Sequence, residues 1–151
     1  TYVGGSYSIS ASAVTTISTV NTLVKMAGTT VYVDEQWFEN NADNAIESSS
    51  DQEFAVSIKG NLSFAGGNND KMGLQIRHWD NSAGVYFNVG QRFTATLNGG
   101  TTTTRVENLP FRATAVMNKN DRIEVWIENK TDTTDITADV GGVVMVEERS
   151  S

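Results

Sequence analysis

The sequence predicts an all-β sandwich or barrel, and three observations carry that prediction. Apolar and polar residues alternate with period two over most of the chain. Short clusters of Gly, Asn, Asp and Ser separate the alternating runs. Helical periodicity is almost absent.

The first 20 residues, with "SISASAVTTISTV", are small and β-branched, and fit an early strand or an extended arm. A jelly-roll domain is expected over 21–151, with 1–20 as the separate N-terminal segment. The clearest run is "EFAVSIKGNLSFA" from Glu53 to Ala65. Phe54, Val56, Ile58, Leu62 and Phe64 share one face, so this strand has a single buried side. Lys71 to Trp79 follows, with Met72, Leu74, Ile76 and His78 in phase. A run from Gly84 to Leu97 comes next. Leu109, Phe111, Ala113, Ala115 and Met117 then share a face, as do Ile123, Val125 and Ile127. Pro110 stands at a strand start, where its missing donor does little harm. Turns are expected at Gly66–Asp70, Asp80–Gly84, Asn98–Gly100 and Asn118–Asp121. A last strand is expected within Ile136 to Val146. So apolar a final strand needs a neighbour on each side or a cover, since an exposed apolar edge invites aggregation. A C-terminal strand placed mid-sheet beside the N-terminal one is the mark of a jelly roll.

Composition narrows the function. The chain has 151 residues, 38% hydrophobic and 19% charged, which suits one globular domain with a real core. Its net charge is −7, and its 11 Lys and Arg are scattered. Nucleic-acid binding needs clustered cations, so that class is set aside. No apolar run has the length to span a bilayer as a helix, and no membrane insertion is expected. Cys is absent, which excludes disulfides, thiol catalysis and thiolate metal sites. Thr1 is the kind of small residue that follows a removed initiator Met; on that reading the chain is a complete gene product.

Several segments together resemble a known family. "VMNKNDRIEVWIEN", a Thr/Asp-rich connection and "ITADVGGVVMVEE" look like the last two strands of TNF/C1q-like jelly-roll domains. "FAVSIKGNLSF" resembles an early core strand of that family and "MGLQIRHWDNS" its next strand. "NTLVKMAGTT" resembles the start seen in tailed-phage versions. The likeness runs over roughly residues 21 to 148. It departs at Asn120, where Gly is common, and at Met117, where Leu is common. The resemblance implies a homotrimer of jelly rolls and a virion protein, and brings no catalytic residue with it.

His78, the only histidine, sits in the core-facing phase with no nucleophile signature nearby, and reads as a hydrogen-bonded core or interface residue. Asn40–Asn44, Asn68–Asp70, Asp132, Asp135 and Asp139 offer oxygen ligands of the type Ca²⁺ takes, without EF-hand spacing; solvated loops are the simpler reading, and no metal or other cofactor is expected. The pairs Asp34–Glu35 and Glu147–Glu148 point to opposite strand faces, so neither flanks one glycosidic bond. Trp126 is out of phase with Ile123, Val125 and Ile127, and Trp79 with Leu74 and Ile76. Aromatics on a solvent phase are candidates for an interface. Of the adjacent Tyr86 and Phe87, one must face outward. Trp79, Trp126, Tyr86 and His78 are therefore the interface candidates. The sequons at Asn61–Ser63 and Asn129–Thr131 read as accidental.

The expected function is structural and non-enzymatic: a tailed-phage capsid decoration (cement) protein on the virion exterior, binding the major capsid protein as a trimer. The alternative is the head of a tail fibre or receptor-binding protein that grips host glycan or protein through loops such as Asn40–Ser50 and Asn98–Thr104. A cellular C1q/TNF-like signalling trimer is a third class.

Overall fold

The protein was described from a computed structural model, which describes residues 4–40, 44–97 and 104–149. Among the described residues thirteen strands follow one another without a helix: β1 (Gly4–Ala11), β2 (Ala13–Thr15), β3 (Val24–Lys25), β4 (Thr29–Gln36), β5 (Phe38–Asn40), β6 (Ala45–Ser48), β7 (Phe54–Gly66), β8 (Lys71–Asp80), β9 (Val85–Thr96), β10 (Thr104–Met117), β11 (Arg122–Asn129), β12 (Ile136–Ala138) and β13 (Val143–Glu148). They form two antiparallel layers. In the first, β10, β7, β12 and β2 lie side by side and β13 also pairs with β7. The β1–β4 pair extends this layer, because Ile9 and the Gly141–Gly142 corner exchange backbone hydrogen bonds of 2.8 Å. The second layer has the order β5-β6-β11-β8-β9, with β3 paired to β11 beyond β6.

Alternation places the core. Val56, Ile58, Leu62 and Phe64 of β7 point inward, as do Met72, Leu74 and Ile76 of β8 and Ile123, Val125 and Ile127 of β11. Each side chain of this size, once fully buried, contributes roughly 1.5–3 kcal/mol of transfer free energy. The expected runs at 53–65, 71–79, 84–97, 109–117 and 122–129 are β7 to β11, within a few residues at their ends.

The ends of the chain differ from expectation. Of the two readings of the first 20 residues, 4–15 take the strand and not the arm. Tyr7 and Ile9 are core residues, and β2 pairs with β12. The single last strand expected in 136–146 is two. Gly141, at φ 98°, turns the chain between β12 and β13, and both pieces pair with β7. That φ lies in a region glycine enters without steric cost. Asn120, standing where the family commonly has Gly, has φ 69°. Asn is among the few residues that accept this conformation, so the departure keeps the turn. The loop Asn40–Ser50 is largely not a loop: Ala45–Ser48 is the fully buried β6, and 41–43 lie outside the described residues. Of the loop Asn98–Thr104, only Thr104 is described.

Candidate functional site

The register brings three of the four interface candidates together. Trp79 of β8 pairs with Arg122 of β11 on one side and with Tyr86 of β9 on the other. Alternation then puts Arg77, Glu124 and Trp126 on the same outer face. The Trp79 and Tyr86 rings lie 4.8 Å apart and tilted, and Tyr86 meets Trp126 edge-on at 5.1 Å. Such pairs are worth about 0.5–1.5 kcal/mol beyond their buried area. The Arg77 guanidinium covers both Trp126 at 4.6 Å and Tyr86 at 5.0 Å, and Arg122 covers Trp79 at 5.1 Å. Cations and rings alternate along the strip, held by the attraction of positive charge to the negative ring faces.

Glu124 lies beneath these side chains with no exposed surface. An isolated carboxylate there would carry a heavy desolvation cost. Both of its oxygens accept hydrogen bonds instead. Trp126 Nε1 donates to Oε1 at 2.9 Å. Arg122 Nε and the Tyr86 hydroxyl donate to Oε2, each at 3.1 Å, and Lys25 Nζ stands 3.7 Å away. Burial raises the Tyr86 phenol above its ordinary value; the Arg122 hydrogen bond opposes that shift and the Glu124 charge adds to it. The pattern repeats one step along β11. Buried Glu128 holds Arg92 Nη1 at 2.6 Å and Lys130 Nζ at 3.1 Å, and Arg92 Nε donates to Gln75 Oε1 at 3.3 Å. This outer face is closed by the molecule's own side chains.

His78 is not part of the strip. It lies on the inner phase at the end of β8, with its Nε2 2.9 Å from Asp121 Oδ2. Asp121 also accepts from the backbone amides of Asn81 at 3.0 Å and Asn118 at 2.9 Å. The pair clasps the β8–β9 turn to the β10–β11 turn. Phe87, opposite His78, is 51% exposed.

The acidic loop residues are drawn into a different network. Asn129 is fully buried, and its Nδ2 donates to Asp70 Oδ2, Asp132 Oδ1 and the Thr134 carbonyl at 2.9–3.1 Å. Its sequon is therefore sealed, whereas Asn61, inside β7, is exposed. Burial raises the Asp70 carboxyl, whereas hydrogen bonding to Thr134 lowers that of Asp132. Asp135 caps the Ile17 amide at 2.8 Å. Among the described residues no group of three or more His, Cys, Asp or Glu could hold a metal ion. Glu147 pairs with Lys59 at 3.1 Å; the side chains of Asp34 and Glu35 lie outside the description.

The opposite outer face is open. A groove of about 770 Å³ runs across β13, β7 and the edge strands β10 and β9. Phe93, Pro110, Phe111, Val143 and Met145 supply its apolar wall, with Lys59, Asn61, Gln91 and Arg112 around them. Gly60 is required under it. A Cβ there would stand 2.2 Å from the Phe111 ring and 2.6 Å from the Val143 carbonyl oxygen.

No family model matches this sequence, and no curated protein does. Solved structures do. The chain is similar to murine APRIL at pH 8.0, with a TM-score of 0.65 and 9% identity over 99% of this chain and 100% of that one. It is also similar to Eiger TNF from S. frugiperda, with a TM-score of 0.63 and 4% identity over 99% and 94% of the two chains. The fold is a TNF-like jelly roll. Identities this low carry the fold alone.

Within this TNF-like jelly roll, sequence pattern found the three aromatics but missed what organises them. Glu124 and Glu128 fall in the phase read as solvent-facing, and their burial beneath Arg77, Arg92 and the rings follows only from the β11–β8–β9 register. The groove was also missed, since Val143 and Met145 occupy the weaker phase of a strand apolar on both faces.

Proposed function

We propose that the protein is a non-enzymatic structural trimer of a tailed-phage virion, a decoration protein that clamps neighbouring subunits of the major capsid shell. The observation that carries this reading is the open apolar groove over β13, β7, β10 and β9. Three copies around an axis would bury it, each copy setting its β9–β10 edge against the next copy's β7–β13 face. Lys59 and Arg112 at the groove suit a neighbour whose net charge is −7. The phage assignment is supported by the resemblance of "NTLVKMAGTT" to the start of tailed-phage jelly rolls. The mechanism is passive: contact area stabilises the shell, and no bond is made or broken.

Sedimentation tests it in two stages. Analytical ultracentrifugation of the purified chain is expected to give a trimer. Mixing with capsids that lack the protein is expected to give saturable co-sedimentation at a fixed ratio to coat subunits. A monomer, or a trimer that ignores capsids and adheres to intact host cells, overturns the decoration reading; the second outcome supports the fibre-head alternative.

A further inference from the structure

Trp37 is the outlier of the backbone. It connects β4 to β5 with φ 68°, in the left-handed region. Bulky side chains avoid that region because Cβ crowds the following carbonyl oxygen. Glycine is the natural residue for such a corner. Tryptophan does not repay the strain by packing in the core, since it is 50% exposed. Strained residues that present their side chains outward collect at ligand sites.

What surrounds the indole has a definite chemistry. A groove of about 400 Å³ is lined by Trp37, Ser50, Asp51, Gln52, Phe54 and Glu148. Phe54 is its buried apolar wall, 6.1 Å from the Phe38 ring. The polar rim is held in place. Ser49 N donates to the Trp37 carbonyl at 2.9 Å, Gln52 N to Ser50 Oγ at 3.0 Å, and Ser48 N to the Asp121 carbonyl at 3.0 Å. Lys119 Nζ holds Asp51 at 2.8 Å, and that hydrogen bond keeps the Asp51 carboxyl below its ordinary range. An exposed aromatic face thus stands beside two carboxylates, an amide and a hydroxyl.

We propose that this groove binds a neutral saccharide, one pyranose ring stacking on Trp37. The C–H bonds on one face of a pyranose carry slight positive charge and pack against the negative face of an indole. Its hydroxyls donate to the Asp51 and Glu148 carboxylates and exchange hydrogen bonds with Gln52 and Ser50. Asp51 is balanced by Lys119, so the Glu148 carboxylate is the charge that disfavours sialic and uronic acids, and the site favours uncharged sugars. This goes beyond the capsid role and does not depend on it.

The test is a glycan array carrying neutral hexose oligosaccharides alongside sialylated and uronate-containing ones, probed with the labelled full chain. Neutral glycans are expected to be retained and acidic ones not. The strongest neutral glycan is then titrated by calorimetry against wild type, Trp37→Ala, Trp37→Gly and Gln52→Ala. Both Trp37 variants are expected to lose at least tenfold in affinity, and Trp37→Gly, which relieves the strained φ, to do so with no fall in melting temperature. Gln52→Ala is expected to weaken binding severalfold and leave the fold untouched. The proposal is overturned if no neutral glycan is retained, if acidic glycans are preferred, or if Trp37→Ala binds as wild type does.

Discussion

The two outer faces of the sandwich are finished differently. On the second layer, Glu124 and Glu128 are buried among Arg77, Arg92, Arg122, Trp126 and Tyr86, and every oxygen of both carboxylates accepts a hydrogen bond from within the chain. Across the first layer and the β9 edge of the second, Val143, Met145, Pro110 and Phe93 border a groove that none of the described residues fills. A strip of charged and aromatic residues invites the expectation of a binding surface. Here its rings and charges are paired with one another within the chain, whereas the plainer face carries an open groove.

Substitutions at the two faces separate fold from assembly. Glu124→Ala leaves Arg122, Lys25, Tyr86 and Trp126 without their shared acceptor. Breaking a buried ion pair from one side costs roughly 3–5 kcal/mol. Chemical denaturation is expected to show a loss of that order, with the oligomeric state of the folded fraction unchanged. Met145→Glu should do the reverse. Placed in the groove, a carboxylate is expected to turn trimer into monomer by ultracentrifugation, with the denaturation midpoint of the monomer close to wild type. If Met145→Glu remains trimeric, the contact lies elsewhere.

The contrast between satisfied and unsatisfied polar groups extends into the core. The Tyr7 hydroxyl is buried with no hydrogen-bond partner among the described residues, and burial pushes its pKa far up. Tyr7→Phe removes an unmet polar group at nearly constant shape, so a gain of about 1 kcal/mol is expected from thermal or urea unfolding.

Asp70 gives the smallest effect, and it is read from pH. Unlike Glu124 it has no recorded cation partner among the described residues; its partner is Asn129. Because burial raises its pKa in the folded state, the folded chain binds that proton more tightly than the unfolded chain. Its contribution to stability therefore grows as pH falls through the raised value and is poorest at neutral pH. Asp70→Asn is expected to help most near neutrality, with the advantage shrinking towards pH 4. Asp132, lowered in pKa, works in the opposite sense and remains in both proteins. A melting-temperature difference that is flat with pH would remove Asp70 from the account.

Strands with one apolar phase were legible because a single core-facing side imposes period two on their apolar residues, whatever covers the other side. β7, β8 and β11 are of this kind. The pieces that escaped notice lack that contrast. β6 is buried on both faces, and its "AIES" has no alternation to read. β1 is built of Gly and Ser around Tyr7 and Ile9, and its core role comes from pairing with a strand from another part of the chain. The out-of-phase positions of Trp79 and Trp126 were visible in their own strands. Their meeting through Tyr86 and Arg77 required three strands in register, which no local pattern encodes. Trp37 gave no signal, since a left-handed backbone at Trp runs against every turn preference.

The position of β13 has a consequence for synthesis. Val144 sits opposite Gly60 while Phe111 of β10 flanks the same glycine from the other side. When β7 and β10 have left the ribosome, one edge of β7 still lies bare, its amides and apolar side chains waiting for a segment not yet made. Contacts this distant along the chain form late and slowly, and an uncovered strand edge is the form in which nascent chains stick to one another. Translation that stalls before β13 thus leaves this fold most exposed to aggregation, and β13 acts as the latch that ends the danger.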